Sequence, residues 1–193
     1  KLVFKGGTSL SKVWGLIERF SEDIDLAVDR SLFGFEGDLT TKQIKKLRKA
    51  SSLFVSNEFL CELQSAINRF DLDKFIELEV QPDGEGDKTY PEPRQIFIKY
   101  QSLFETELSY VKPQIILEIG ARSLFEPTQK SSINSIVATE FPNVQTSVIS
   151  ADITTAVAAK TFLEKAFLLH ELFTTNGCSK AERKSRHLYD LER

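Results

Sequence analysis

Along the chain, apolar and polar positions change period several times, and each change predicts an element. Leu2, Val3 and Phe4 form a short apolar run that stops at Gly6-Gly7, which predicts a strand and a turn. Thr8 or Ser9 can then cap a helix running through Leu10, Val13, Trp14 and Ile17. From Ser21 to Val28 polar and apolar residues alternate, so Asp23 and Asp25 share one face of a strand while Ile24, Leu26 and Val28 take the other, toward the core. Arg30 to Asp38 contains two glycines and reads as a loop. Thr40 and Thr41 offer an N-cap to a helical region that continues to Phe70 with a break near Ser51-Ser52. Its stripe of Leu53, Phe54, Phe59, Leu60, Leu63 and Ile67 is core packing. A period of two returns at Phe75, Ile76, Leu78 and Val80 and again at Ile96, Phe97, Ile98 and Tyr100, predicting a hairpin whose polar tip runs from Pro82 to Pro93.

Pro113 to Gly120 reads as a strand with a single carboxylate, Glu118, among apolar residues. A carboxylate in that setting needs a partner or a metal. Residues 131–150 read as turns and short strands, and a strong helix is expected from Thr154 to Thr174, stopped by Asn176-Gly177. Val157, Phe162, Leu163, Ala166, Phe167 and Leu169 cover much of its circumference, so it should be well buried. A last helix is expected from Ser179 to Arg193, with Arg183, Arg186, His187 and Asp190 close to one face. The pattern predicts an α/β (α+β) chain: a core over 1–150 with inserted helices, and a C-terminal helical region over 151–193 packed on it as one compact unit. The chain opens directly in a strand and contains no methionine, so an N-terminal portion is expected to be missing.

Composition narrows the choices. With 193 residues and 41% hydrophobic content the chain can bury a sizeable core. No stretch approaches the ~20 apolar residues of a membrane span. Cys61 and Cys178 are too few and too far apart for a disulfide framework or a zinc site, and read as reduced thiols of a cytoplasmic protein. A net charge of −3 argues against a general nucleic-acid binder. Two local basic segments, Lys42 to Lys49 and Lys180 to Arg186, could each meet a phosphate backbone or form a solvated helix face. Asp83, Glu85 and Asp87 lack the ligand register and terminal glutamate of a calcium loop, and read as a solvated tip.

Candidate chemistry concentrates near the start. Glycines between a strand and a helix let the backbone approach a ligand, and the N–H groups of the helix start favour an anion such as phosphate. Asp23 and Asp25 stand about 7 Å apart along their strand, from twice the ~3.3 Å rise, close enough to hold one or two divalent cations. Mg²⁺ prefers oxygen ligands and is commonly held by one or two carboxylates plus substrate phosphates.

GGTSLSK followed by RFSEDIDL resembles the nucleotidyltransferases with a DNA-polymerase-β-like core, and within them the AbiEii-type toxins of bacterial toxin–antitoxin systems. Similarity recurs at Leu117-Glu118-Ile119-Gly120-Ala121-Arg122-Ser123, around Glu126-Pro127, at Thr161-Phe162-Leu163-Glu164-Lys165-Ala166 and at Ser185-Arg186-His187-Leu188-Tyr189-Asp190-Leu191, and so covers nearly the whole chain. The resemblance implies a polymerase-β-like core with a mixed sheet and a C-terminal helical lobe. It implies Asp23, Asp25 and Glu118 as ligands of one or two Mg²⁺ ions. Gly6, Gly7, Thr8, Ser9, Lys12 and Arg122 would bind the nucleoside triphosphate. Lys165, with Lys160 as its competitor, and Asp190 would take part in the chemistry. His187 stands where many relatives carry an acid, so it and His170 read as structural residues. The activity implied is transfer of NMP from an NTP to a hydroxyl, with a tRNA 3′ end as acceptor and a cognate antitoxin as partner. Transfer to a small molecule or protein side chain, or a degenerate domain that only binds a nucleotide or partner, are the alternatives.

Overall fold

The structure, a computed structural model, describes residues 2–21, 23–102, 112–122, 127–143, 150–174 and 185–193, without the side chain of Asp87. Ser123, Glu126, Asn176-Gly177, Cys178, Arg183 and the basic segment from Lys180 to Lys184 lie outside the described residues. The chain divides into two compact units, one formed by Lys1–Leu2 and Glu22–Phe125, the other by Val3–Ser21 and Glu126–Arg193. The α/β class expected from the pattern holds in both. Among the described residues no helix is long and apolar enough to cross a membrane.

In the first unit four strands run in the order β3-β4-β5-β2, with β2 Asp23–Val28, β3 Ile76–Val80, β4 Arg94–Tyr100 and β5 Gln114–Gly120. β2 and β5 are parallel, and the other two pairs are antiparallel. The predicted hairpin is β3–β4, in register from Ile76 opposite Tyr100 to Val80 opposite Ile96. Its tip is more than solvated polar residues, because Asp83 accepts a hydrogen bond from the buried Arg94. The helical region starts where expected: Thr40 and Gln43 form a capping box at the start of α2, Thr41–Phe54. The expected break at Ser51-Ser52 is absent. Both serines are fully buried, and Ser52 Oγ accepts from Arg94. The irregularity lies later, as a π-turn over Val55–Phe59 before α3, Leu60–Arg69. Leu47, Ser51 and Val55 repeat every four residues and form the buried row, with Ile67 further on, whereas Leu53 of the expected stripe is exposed.

In the second unit three strands run β1-β7-β6, with β1 Leu2–Lys5, β6 Thr128–Asn134 and β7 Ser150–Ala156. β1 pairs parallel to β7 with Phe4 beside Thr155, and β6 pairs antiparallel to β7 from Thr128 opposite Ala156 to Asn134 opposite Ser150. This corrects the reading of 131–150 as turns and short strands: β6 is a seven-residue strand, followed by the short helix α4, Ile136–Glu140. Only Ile133 in β6 is apolar, so hydrophobic alternation could not announce it.

The helices of this unit differ from expectation in extent and rotation. α1 spans only Gly6–Lys12, and its N-cap is Lys5, which makes no side-chain cap bond. Thr8 and Ser9 therefore lie inside the helix and do not cap it. Gly15, at φ +60, has left the helix, so Ile17 is buried from a loop. The next helix, α5, is Ala158–Thr174 and starts later than Thr154, because the β-branched run around Ile153, Thr154 and Thr155 belongs to β7. Its buried row is Thr161, Lys165 and Leu169, while Phe162, Leu163, Phe167 and Phe173 are exposed, Phe167 at 69% and Phe173 at 72%. The expectation of a well-buried apolar helix is thus overturned, and a lysine occupies the interior. α6, Ser185–Glu192, buries His187 and Asp190, one helical turn apart.

Candidate active site

Two groups of predicted residues are brought together, one in each unit. In the first unit, the parallel register sets Asp25 beside Glu118 and Asp23 beside Ile116. Neighbouring strands lie about 4.8 Å apart and paired positions project to the same face, so Asp25 and Glu118 are lateral neighbours and Asp23 follows on that face of β2. The antiparallel register on the other side of β5 places Gln95 opposite Glu118. Gln95 Nε2 donates to Glu118 Oε1 at 2.6 Å. The result is a transverse row Gln95–Glu118–Asp25 across three strands, with all three side chains half-buried. Ile24, Leu26 and Val28 face the other way, and Leu26 and Val28 are buried.

Among the described residues no three His, Cys, Asp or Glu side chains form a group that could hold a metal ion by themselves. The donors present still suit Mg²⁺, which commonly takes one or two carboxylates from the protein and further oxygens from substrate phosphates and water. Asp25 and Glu118, side by side, supply that minimum.

Just beyond β5, Ala121 N–H donates to Glu92 Oε1 at 2.5 Å. A side chain at Gly120 would put its Cβ 2.8 Å from that oxygen, so glycine there makes room for the carboxylate. Burial pushes the Glu92 carboxyl above its ordinary value, against the lowering effect of the Ala121 and Arg122 backbone N–H groups and of the Arg122 charge. Arg122 itself is exposed, and its charge acts on Glu92. Sequence reasoning missed Gln95 and Glu92, since only the strand register reveals their partners.

In the second unit the glycine turn opens α1. Gly6 adopts φ +76, open to glycine without strain. Ser9 is fully buried and its hydroxyl donates to Gly6 O at 2.9 Å, while Thr8 is half-buried and Lys12 is exposed in the last turn of α1. Gly7 is buried, and a Cβ there would lie 2.8 Å from Arg19 Nη2. That guanidinium forks onto Asp190, with Nε to Oδ1 and Nη2 to Oδ2 both at 2.6 Å. Lys165 Nζ reaches Asp190 Oδ2 at 2.9 Å. The side chains are 20%, 8% and 0% exposed for Arg19, Lys165 and Asp190. Burial alone would raise the Asp190 carboxyl, but the hydrogen bonds from Arg19 and Lys165, with their positive charges, bring it below its ordinary value. Two cations around one carboxylate leave the cluster with a formal charge of +1.

The competitor, Lys160, sits elsewhere on α5. Burial lowers its amine, Lys5 adds to that, and Glu164 opposes it. Glu164 accepts from Lys5 at 3.1 Å. The structure brings together Lys165 and Asp190, which the resemblance named separately, and adds Arg19, which no local pattern singled out.

No curated protein and no solved structure matches the chain. The family model described as nucleotidyl transferase AbiEii toxin, type IV toxin–antitoxin system, matches residues 1–193, so the chain belongs to the AbiEii nucleotidyl transferase toxin family.

Proposed function

We propose that the chain transfers NMP from an NTP to an acceptor hydroxyl, that the acceptor is a tRNA 3′ end, and that the activity is held in check by a cognate antitoxin in the cytoplasm. The observation that carries this reading is the in-register pairing of Asp25 with Glu118, which sets two half-buried carboxylates side by side on parallel strands. Like charges so close repel, and a divalent cation held between them relieves that repulsion. Family membership supports the transferase class.

In the reaction, the acceptor oxygen attacks the α-phosphorus, the bond from that phosphorus to the bridging oxygen of pyrophosphate breaks, and pyrophosphate leaves. Glu118 is the group proposed to receive the hydroxyl proton, with Gln95 holding its Oε1 so that the other oxygen faces the acceptor. Asp23, Asp25 and Glu118 would hold Mg²⁺, which when bound stabilises charge on the entering and leaving oxygens. Lys165 is proposed to neutralise charge that develops on the phosphates, and the turn at Gly6 and Gly7, with Thr8, Lys12 and Arg122, to bind the triphosphate. Ser9 would contribute through its backbone, since its hydroxyl is already bonded to Gly6 O. A core of the polymerase-β type is part of the same proposal.

The test is incubation with α-labelled ATP, GTP, CTP and UTP, Mg²⁺ and total RNA. Label at RNA 3′ ends with release of pyrophosphate is expected, and it should vanish in Asp25→Asn. Label appearing only in a small product or on protein removes the tRNA acceptor. Triphosphate binding without Mg²⁺-dependent turnover removes the transferase and leaves a binding domain.

A further inference from the structure

We propose that Arg19 is a positioning residue of this transferase, fixing the Asp190 carboxylate and through it the Lys165 ammonium in one cluster seated against Gly7. The proposal rests on the transferase reading for its kinetic consequence, and on geometry alone for the coupling of the three side chains.

Asp190 has no exposed side-chain surface, and both of its oxygens are engaged, Oδ1 by Arg19 Nε and Oδ2 by Arg19 Nη2 and Lys165 Nζ. It is therefore poorly placed to bind a metal or take a proton from substrate, and well placed to hold two cations at a fixed separation. The bidentate fork needs a planar guanidinium; a lysine in its place offers a point charge and one bond. Gly7 completes the device, because any side chain there would press on the guanidinium from 2.8 Å away. In sequence Gly7 looked like room for a ligand, and in the fold the occupant of that room is Arg19.

Among the described residues, Asp190 is bonded by Arg19 from the segment after α1 and by Lys165 from α5, and the titratable His187 is buried one turn away on α6. An ammonium has three donors and Asp190 Oδ2 takes one, so Lys165 can direct the others at phosphoryl oxygens once its carbon chain is held. With a formal charge of +1, the cluster favours an anion. Arg19 acts at one remove, by keeping Asp190, and hence Lys165, in register.

The experiment is a kinetic double-mutant cycle of Arg19→Lys and Lys165→Met, with kcat and KM for the labelled NTP measured across pH. Arg19→Lys alone should lower kcat by about tenfold or more with KM changed far less, the pattern of an interaction used in the transition state. In the Lys165→Met background the same substitution should change kcat by less than about twofold, since its route of action is gone. The acid limb of the pH profile should move upward in Arg19→Lys, because Asp190 has lost part of what holds its carboxyl low. Equal effects in both backgrounds, or an unmoved pH profile, overturn the proposal. If the parent shows no Mg²⁺-dependent turnover, the transferase reading fails instead. The cycle is then read in thermal unfolding, where non-additive shifts support the coupling of Arg19 to Lys165 through Asp190 and additive ones overturn it.

Discussion

Replacing Gln95 by glutamate tests the acidic row without relying on turnover. The amide nitrogen of Gln95 lies 2.6 Å from Glu118 Oε1, and the strand register sets Asp25 on the other side of Glu118. Gln95→Glu exchanges a donor for a third carboxylate in this row at nearly constant volume. Two unit charges about 4 Å apart repel by about 1 kcal/mol in water and about 4 kcal/mol at an effective dielectric of 20, and these half-buried groups fall between the limits. Loss of the hydrogen bond to a charged acceptor adds roughly 1.5 kcal/mol or more. At pH 7.5 in a chelator the variant should lose about 2.5–5.5 kcal/mol, a fall on the order of 5–20 °C in melting temperature for a chain of this size. Added Mg²⁺ should restore most of the loss, because a cation among three carboxylates relieves their repulsion, and the Mg²⁺-dependent gain should exceed that of the parent. Gln95→Met is the control: it loses the bond but adds no charge, so its melting temperature should fall less and gain no more from Mg²⁺ than the parent does. Differential scanning fluorimetry with and without Mg²⁺ reads all three proteins. A Gln95→Glu protein as stable as the parent in chelator, or one with no larger response to Mg²⁺, refutes the charged row and with it the metal assignment.

Gly7→Ala should destabilise by about 1–3 kcal/mol, as overpacking does, because the new Cβ meets the Arg19 guanidinium at 2.8 Å. Circular dichroism melts check this, and a smaller cost of Gly7→Ala in an Arg19→Ala background than in the parent locates the clash. Glu92 has a raised carboxyl, so the folded state holds its proton more firmly than the unfolded state does. Its contribution is full below the ordinary glutamate value of 4.5 and is lost as pH rises through the folded value, so Glu92→Gln should match the parent at acid pH and be the more stable protein at pH 8 in urea titrations. Asp190 has the opposite sign: its stabilisation is present above 3.8 and lost as pH falls through the lowered folded value, so Asp190→Asn should lose most stability near pH 7 and least near pH 3. Arg94→Met should cost about 1–3 kcal/mol, since it takes the Arg94 donor from the fully buried Ser52 Oγ and from Gln81 O while the exposed Asp83 stays hydrated, with chemical denaturation as the measure.

The alternation in Asp23-Ile24-Asp25-Leu26 was enough to place a strand with a carboxylate face, and the hairpin over 76–100 was equally plain, because in both a period of two repeats over several residues. What escaped the sequence was register and rotation. Gln95 meets Glu118 only through the pairing of β4 with β5, and Arg19 meets Asp190 across 171 positions of chain. Neither pairing leaves a local trace. β6 hid because an edge strand can be polar on both faces when one lies under little cover. α5 misled for a related reason: its apolar positions were counted, but which face turns inward depended on the ionic partners waiting for Lys165. Helix α1 was overextended because Gly15 carries a positive φ and ends the run that Val13 and Trp14 would otherwise continue.

The rotation of α5 bears on why the ionic cluster exists at all. Turning the helix so that Phe162, Leu163 and Phe167 faced inward would bury more apolar surface, and each large side chain so moved is worth about 1.5–3 kcal/mol. The fold instead buries Thr161, Lys165 and Leu169 and leaves those three side chains outside. A buried group of charges is a weak source of stability, since well-packed apolar replacements of similar volume are often neutral or stabilising by 1–4 kcal/mol. Stability therefore explains neither the lysine in the interior nor the arginine and aspartate that hold it. A requirement for a positioned cation explains all three, together with the glycine that leaves Arg19 its space. On this argument, replacing Arg19, Lys165 and Asp190 together by apolar residues of matched size should leave a chain at least as stable as one lacking Asp190 alone, yet abolish NMP transfer. A triple variant that melted lower than Asp190→Ala, or that still labelled RNA, would mean the cluster serves the fold and not the reaction.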